Sequence, residues 1–308
     1  MKKVVSLIVI VLAAVGGFVG WLFARDSGGV PILAYHRVNN IDKDQMTLAV
    51  EDFDAQMKFL VDSGYTFITP DELLDSWGDT PPEVVTAETV ETTDQTIQTE
   101  DAAPAEIGRP ALPDKPIIIT FDNGYADFYK NVYPILQKYN IKVTLLVITD
   151  YISLYPDYLT WAQMRELQSS GLVDVQSHTL SNFDLTDAHL SPYEIRNQLY
   201  GSKQAIEWYL KKPAKFVAYP GGLYTKEVEE LTRDVGYRAA FIIDYGLTKQ
   251  EFQHYVMPRI PIFGNNSYPL LRFKMRLLGA PIIAPLTRFR NQLIHDGNEA
   301  VADFIWIP

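Results

Sequence analysis

The chain has 308 residues, of which 47% are hydrophobic and 12% aromatic, so it can build one large core or two modest ones. It contains no cysteine, which excludes disulfides, thiolate nucleophiles and cysteine-bound metals. The formal net charge of −11 argues against nucleic acid as a partner, because neutralising phosphates requires a surplus of Lys and Arg on some face.

An uncharged and largely apolar run of 21 residues, Val4 to Ala24, follows Lys2 and Lys3. As a helix it spans roughly 30 Å, the thickness of the hydrocarbon core of a bilayer. The alternative is a cleaved signal peptide, whose apolar region is usually shorter and ends at a small-x-small site. We predict an uncleaved transmembrane helix over residues 1–25. Because the lysines stay in the cytoplasm, the rest of the chain is expected outside it, attached to the cell membrane by a single pass.

Residues 26–77 show the pattern of a strand followed by two helices, and we predict that they form the first part of a folded domain. The run PILAYHRV at 31–38 predicts the strand. Apolar residues then recur at helical spacing, and a capping box with proline at the first helical position opens the second helix. The residues concerned are Phe53, Met57, Leu60 and Val61, and then Thr69, Pro70 and Glu72.

The composition changes between Gly78 and Pro113, where seven threonines and eight acidic residues stand against one arginine and no aromatic residue. Such a segment cannot bury enough apolar surface to offset the entropy lost on ordering. We predict a flexible acidic insertion over residues 78–114.

From Lys115 onward, strand-like and helix-like segments alternate, which is typical of a parallel α/β architecture. The predicted strands are Ile117 to Phe121, Ile141 to Ile148, Val173 to Ser177, Phe216 to Tyr219, and Ala239 to Ile243. Polar residues follow four of them, and in a parallel barrel the carboxyl ends of the strands converge on the face that carries active sites. At these four strand ends lie Asp122, Asn123, His178, Asn182, Tyr219 and Asp244, together with Gly221 and Gly222.

Several motifs resemble those of the polysaccharide deacetylases, the NodB-homology family. The segment ITFDNGY at 119–125 is similar to the family's TFDDG motif, and SHTLSNFDL at 177–185 is similar to SHTxxHxxL. AYPGGLY at 218–224 and MPRI at 257–260 resemble a YPYG-type loop and an LPRI segment, in the family's order. YHRV at 35–38 also resembles the subgroup that acts on poly-N-acetylglucosamine.

The resemblance implies a distorted (β/α) barrel, often of seven strands, with the main domain over residues 115–263. It implies metal-assisted hydrolysis of N-acetyl groups on amino sugars of a cell-surface polysaccharide or exopolysaccharide. In that chemistry a divalent ion, usually zinc, polarises the amide while a carboxylate takes a proton from water. Asp122 matches the position of that base and Arg259 that of the residue orienting it. The residues expected to contact the substrate are His36, Tyr219, Gly221, Gly222 and Asp244.

The positions that match the family's metal ligands, one Asp and two His, are Asn123, His178 and Asn182. An amide brings no negative charge, and Asn lacks the imidazole nitrogen that zinc prefers. Two such replacements predict a loss of zinc affinity of more than about 10³-fold. Asp184, Asp187 and His189 follow closely and are alternative ligands, although shaping of the loop is the commoner role for Asp184.

Residues 264–308 form a basic tail, since no Asp or Glu occurs between Phe252 and His295. Leu270, Phe273, Leu277 and Leu278 lie among its Lys and Arg residues, which predicts an amphipathic helix. The helix either packs on the barrel, the commoner outcome, or lies near an anionic membrane surface or polymer.

The sequence is compatible with three functions. The first is an active deacetylase with altered metal chemistry, and the second is a catalytically silent relative that binds an N-acetylated polysaccharide at the membrane. The third is a structural, membrane-tethered domain.

Overall fold

The computed structural model describes Gly17 and residues 28–78, 110–250, 254–264, 267–295, 298–305 and 307–308. The predicted transmembrane helix over residues 1–25, apart from Gly17, lies outside the described residues, and so does most of the predicted acidic insertion over 78–114. Within the described part of the chain, no helix is both long enough and apolar enough to cross a membrane.

The described residues form ten strands and eight α-helices. The strands are β1 (Ile32–Tyr35), β2 (Arg37–Val38), β3 (Thr47–Leu48), β4 (Thr66–Phe67), β5 (Pro116–Asn123), β6 (Val143–Val147), β7 (Val173–Ser177), β8 (Phe216–Ala218), β9 (Ala239–Ile243) and β10 (Met257–Pro261). The helices are α1 (Val50–Asp62), α2 (Pro70–Ser76), α3 (Tyr133–Tyr139), α4 (Trp161–Ser169), α5 (Pro192–Leu210), α6 (Lys226–Asp234), α7 (Pro269–His295) and α8 (Glu299–Ala302).

Seven parallel strands close into a barrel. The strands β5 to β10 follow one another in space, and β1 closes the ring by pairing with both β10 and β5. Leu33 of β1 is therefore in register with Ile260 on one side and with Ile119 on the other. The short strand β4 extends the sheet from β5, outside the ring. The predicted (β/α) barrel is confirmed.

The strands of the ring are mostly buried because helices cover their outer faces while side chains fill the interior. Every residue of β1 and β6 is buried, so these strands show continuous hydrophobic runs rather than alternation. Capping boxes open α2, α4 and α5 at Thr69, Thr160 and Ser191, and the first of these was predicted.

The five strands predicted after Lys115 are all present, and the bounds of β7 and β9 are the predicted ones. The strand β10 was not among the predicted strands. Its prolines, Pro258 and Pro261, argue against a central strand because each lacks an N–H donor. Barrel closure outweighs this preference, since β10 is needed to join β9 to β1.

The tail forms α7, which packs on the barrel. Phe273 is buried and meets Phe59 of α1 edge to face, with ring centroids 6.1 Å apart. The buried Arg276 donates from Nη1 to the carbonyl oxygen of Pro261 at 2.7 Å and thereby ties α7 to the end of β10. These contacts confirm the prediction of a helix packed on the barrel.

A tight turn of two glycines follows β8. Gly221 and Gly222 have φ angles of +63° and +72°, a left-handed conformation that costs an L-residue about 1–2 kcal/mol. A Cβ atom on Gly222 would lie 2.5 Å from the backbone nitrogen of Ile243, whereas one on Gly221 would meet only side-chain atoms of Leu223, at 3.6 Å. Packing against β9 therefore requires glycine at position 222.

Gly222→Ala is expected to lower the free energy of unfolding by about 3 kcal/mol, because a backbone clash adds to the strain of the positive φ. Gly221→Ala is the matched control and is expected to cost only about 1 kcal/mol. Urea unfolding followed by circular dichroism measures both values. Equal losses in the two variants would contradict the packing argument.

Candidate active site

The carboxyl ends of the barrel strands, here called the mouth, bring together residues that lie far apart in sequence. Asn123 of β5 is in register with Val147 of β6, which is in register with Ser177 of β7. The next residue, His178, donates its backbone N–H to the carbonyl oxygen of Val147 at 2.8 Å. The motif at 119–125 and the start of the motif at 177–185 therefore lie at the same level of the mouth, on either side of β6.

Asp122 and Arg259 form a buried ion pair at the mouth. They lie on β5 and β10, the two strands that flank β1. Arg259 donates from Nη1 to Oδ1 of Asp122 at 2.6 Å and from Nη2 to Oδ2 at 2.8 Å, while the side chains are 0% and 3% exposed. Two parallel hydrogen bonds fix the plane of the carboxylate. The contact is the one expected if Arg259 orients Asp122.

The charges at the mouth follow from this pair. Burial opposes ionisation of Asp122, but the positive charge and hydrogen bonds of Arg259 prevail and lower its pKa to about 2. Burial also lowers the pKa of His178 to about 4, against the opposing effect of Asp122. The pKa of His36 is lowered mainly by burial as well. At neutral pH the site therefore contains one carboxylate, one guanidinium and two neutral imidazoles.

The two histidines differ in how they are held. Nδ1 of His178 lies 2.9 Å from the carbonyl oxygen of Ala218, and because that oxygen can only accept, Nδ1 carries the proton and Nε2 a lone pair. Nε2 of His36 lies 3.9 Å from Oδ2 of Asp122. Nδ1 of His36 is buried and has no hydrogen-bond partner among the described residues. His36 thus borders the carboxylate, as expected for a residue lining the pocket.

The donor set at the metal-ligand positions does not fit zinc. Asn123 donates from Nδ2 to the hydroxyl of Tyr125 at 2.9 Å, and Asn182 lies exposed in a left-handed conformation with φ of +59°. His178 supplies the only imidazole of the three positions. No three His, Cys, Asp or Glu side chains of the described residues are grouped so that they could hold a metal ion. We therefore assign no step of the chemistry to a metal.

The nearby acidic residues shape their own loop instead of replacing the missing ligands. Oδ1 of Asp184 accepts hydrogen bonds from the backbone N–H and the hydroxyl of Thr186, at 2.8 and 2.7 Å. Oδ1 of Asp187 accepts from the backbone N–H of His189 at 2.9 Å. These short-range bonds are typical of Asx turns, which agrees with the loop-shaping role of Asp184.

Two of the residues predicted to contact the substrate make contacts within the protein. The side chain of Tyr219 is buried in the core between β8 and α6, where its hydroxyl donates to Oγ1 of Thr232 at 3.2 Å, so its prediction as a substrate contact is wrong. Asp244, at the end of β9, accepts a hydrogen bond from Nε of Arg288 on α7 at 3.0 Å. Asp244 therefore joins α7 to the mouth.

Thr120 belongs to the site but was missed from the sequence. Its hydroxyl accepts from Nη1 of Arg259 at 3.0 Å and donates to the carbonyl oxygen of Leu33 at 2.8 Å, so it helps to hold the guanidinium. The sequence contained a signal for this role. Residues two apart on a strand face the same side, and Thr120 precedes Asp122 by two positions on β5.

A closed barrel of seven parallel strands, with a carboxylate, a guanidinium and two histidines at its mouth, defines the class of the protein as an α/β-barrel with a polar site at the carboxyl ends of its strands. Residues 109–240 match the model of the family described as "Polysaccharide deacetylase". This part of the chain, somewhat less than half of it, therefore matches a polysaccharide deacetylase domain of the NodB-homology type.

Individual relatives agree with this assignment. The polysaccharide deacetylase family protein YxkH of Bacillus subtilis is 26% identical over 242 residues, which cover 79% of this chain and 74% of the relative. The poly-β-1,6-N-acetyl-D-glucosamine N-deacetylase of Staphylococcus aureus is 26% identical over 161 residues, covering 49% of this chain and 56% of that one. The deacetylase PplD of Streptococcus pyogenes superposes with a TM-score of 0.65 at 24% identity, over 82% of this chain and 97% of PplD, which shows a shared fold.

The ion pair predicts how stability depends on pH. The pKa of Asp122 is about 2 in the folded chain against an ordinary value of 3.8, so the pair contributes its stability above about pH 4 and loses it as the pH falls toward 2. A shift of this size corresponds to about 2 kcal/mol. The free energy of unfolding of Asp122→Asn is therefore expected to fall less between about pH 5 and about pH 2 than that of the native chain.

Urea unfolding at a series of pH values measures this difference. Asp114→Asn, which removes an exposed carboxylate, is the matched control and should leave the pH dependence of the native chain unchanged. Parallel curves for the native chain and Asp122→Asn would show that the pair does not stabilise the fold in this way.

Proposed function

We propose that this protein is an N-deacetylase of polysaccharides built from N-acetylated amino sugars, with poly-N-acetylglucosamine as the substrate class. Asp122 takes a proton from the water that attacks the acetamide carbonyl, and it returns this proton to the amine nitrogen as the C–N bond breaks and acetate leaves. Arg259 holds the carboxylate of Asp122 in place, and Thr120 in turn holds the guanidinium of Arg259. His36 and His178 border the reacting group as neutral imidazoles.

The observation that carries this proposal is the ion pair at the mouth, which presents an ionised carboxylate at a fixed angle beside two neutral histidines. The proposal is also supported by relatives, because about half of the chain is similar to poly-β-1,6-N-acetyl-D-glucosamine N-deacetylases. A fold alone does not define an activity, so the proposed reaction rests on the side chains at the mouth.

Two observations favour a second candidate, binding of the polysaccharide without hydrolysis. The amides of Asn123 and Asn182 stand where the family has charged or imidazole ligands. In addition, a carboxylate with a pKa of about 2 is a weak base, whereas general-base catalysis is most efficient when the pKa lies near the working pH. Both features reduce the driving force for attack on an amide.

The location of the barrel is also a proposal. Lys2, Lys3 and the apolar run from Val4 to Ala24 support a single membrane-spanning helix with the barrel on the extracytoplasmic side, where a surface polysaccharide is accessible. A metal is expected only as a weakly held ion, and zinc is the ion that the resemblance implies.

The test is release of acetate from N-acetylglucosamine oligomers by the full chain, without added metal and with zinc, manganese, cobalt or calcium. We expect release by the native chain and a loss of at least about 10²-fold in Asp122→Ala, because a positioned base contributes about 10²–10⁴-fold. Asp114→Ala is the control and should retain full activity, because it alters an exposed carboxylate that precedes β5 at the end of the barrel opposite the mouth.

The variant Asn123→Asp with Asn182→His separates the two candidates. It restores a donor set of one carboxylate and two imidazoles, so calorimetry should show much tighter zinc binding than in the native chain. If the native chain binds the oligomers without releasing acetate, while the variant releases acetate with zinc, the native chain is a binding protein and the enzymatic proposal is wrong.

A further inference from the structure

The helix α7 carries two apolar stripes. The inner stripe, Phe273, Leu277, Ala280 and Ala284, is buried, and its first three members belong to the main core of the barrel. The outer stripe consists of apolar side chains that are at least one third exposed. Its members are Leu271, Met275, Leu278, Leu286 and Phe289.

The two stripes lie on opposite sides of the helix. With about 100° per residue, the members of the outer stripe fall roughly 140–220° around the axis from Phe273. Leu278 is 55% and Phe289 57% exposed, so packing on the barrel does not account for them. A groove of about 520 Å³ runs along this side between the helix and Pro308, and Met275, Leu278, Ile282 and Leu286 line it. Scattered apolar residues are ordinary on a surface, but a continuous stripe of this length marks a contact surface.

Basic side chains border the outer stripe on both sides. Lys274 lies on one flank, and Arg272 and Arg290 lie on the other, roughly 100° and 260° from Phe273. The segment from Phe252 to His295 contains no Asp or Glu, in a chain whose net charge is −11. An apolar stripe flanked by cations is the pattern of helices that lie in the interface of anionic membranes.

We propose that the outer stripe of α7 docks on the surface of a bilayer that contains anionic lipids. The apolar side chains enter the boundary between head groups and acyl chains, while Lys274, Arg272 and Arg290 contact lipid phosphates. A second copy of the chain fits less well, because pairing two such stripes brings like charges together. The run Val4 to Ala24 has the apolar character to cover the stripe, but it carries no charged group that would complement Lys274 and Arg290.

Docking of the outer stripe on a bilayer also fixes the orientation of the mouth relative to the membrane. Arg288 of α7 holds Asp244 at the mouth, and Arg276 holds the carbonyl of Pro261 at the end of β10. A bilayer bound to the outer stripe therefore lies beside the mouth, on the side of β9 and β10.

The absence of cysteine allows a local test in the full chain. Leu278→Cys carries a single environment-sensitive fluorophore on the outer stripe, and Ser169→Cys carries the same label at an exposed position of α4 as the matched control. Each is mixed with vesicles of phosphatidylcholine, with or without phosphatidylglycerol. We expect a blue shift only at position 278, only with phosphatidylglycerol, and weaker at high salt.

Lys274→Gln with Arg290→Gln, in the labelled chain, is expected to weaken binding to the anionic vesicles roughly 30-fold while its circular dichroism spectrum stays that of the native fold. A shift at position 278 that is equal with both kinds of vesicle would overturn the role of the cations. A label that is already shielded without vesicles would overturn the proposal in favour of another occupant. That occupant is a second copy if the shielding depends on concentration, and the N-terminal run if it does not.

Discussion

The ion pair between Asp122 and Arg259 is the interaction on which the mouth of the barrel depends. Both groups are withdrawn from water, and desolvating two charges is costly unless they meet with good geometry and further hydrogen bonds. Here the guanidinium uses two nitrogens on the carboxylate and one of them again on Thr120, whose hydroxyl reaches Leu33 of β1. The pair therefore links β10, β1 and β5 at the point where the ring closes.

The same interaction sets the electrostatics of the site. Asp122 and Arg259 balance each other, and burial keeps both histidines neutral, so the polar groups at the mouth carry little net charge. A divalent cation is favoured where negative charge remains to be compensated, and the amides of Asn123 and Asn182 supply none. The pairing that makes Asp122 rigid also makes it a weaker base, so stability and catalysis place opposite demands on this residue.

The sequence was sufficient for the barrel and for the ion pair, but not for every side chain at the mouth. Alternating strands and helices predicted a parallel architecture, and the motifs around Asp122 and Arg259 predicted their contact. Local pattern could not reveal β10, because its two prolines oppose a strand that only closure of the ring makes necessary. Nor could it place Tyr219, since the direction of a side chain just after a strand depends on how α6 packs beside β8.

The helix α7 shows how one element can serve the core and a surface. Its inner stripe and the carbonyl held by Arg276 fix it to the barrel, so its outer stripe has a defined position relative to the mouth. A long helix that packed on only one side would be expected to carry polar residues on the other, because exposed apolar groups gain nothing in water. The apolar outer stripe therefore needs a partner beyond the barrel, and its basic flanks make an anionic surface the partner with matching charge.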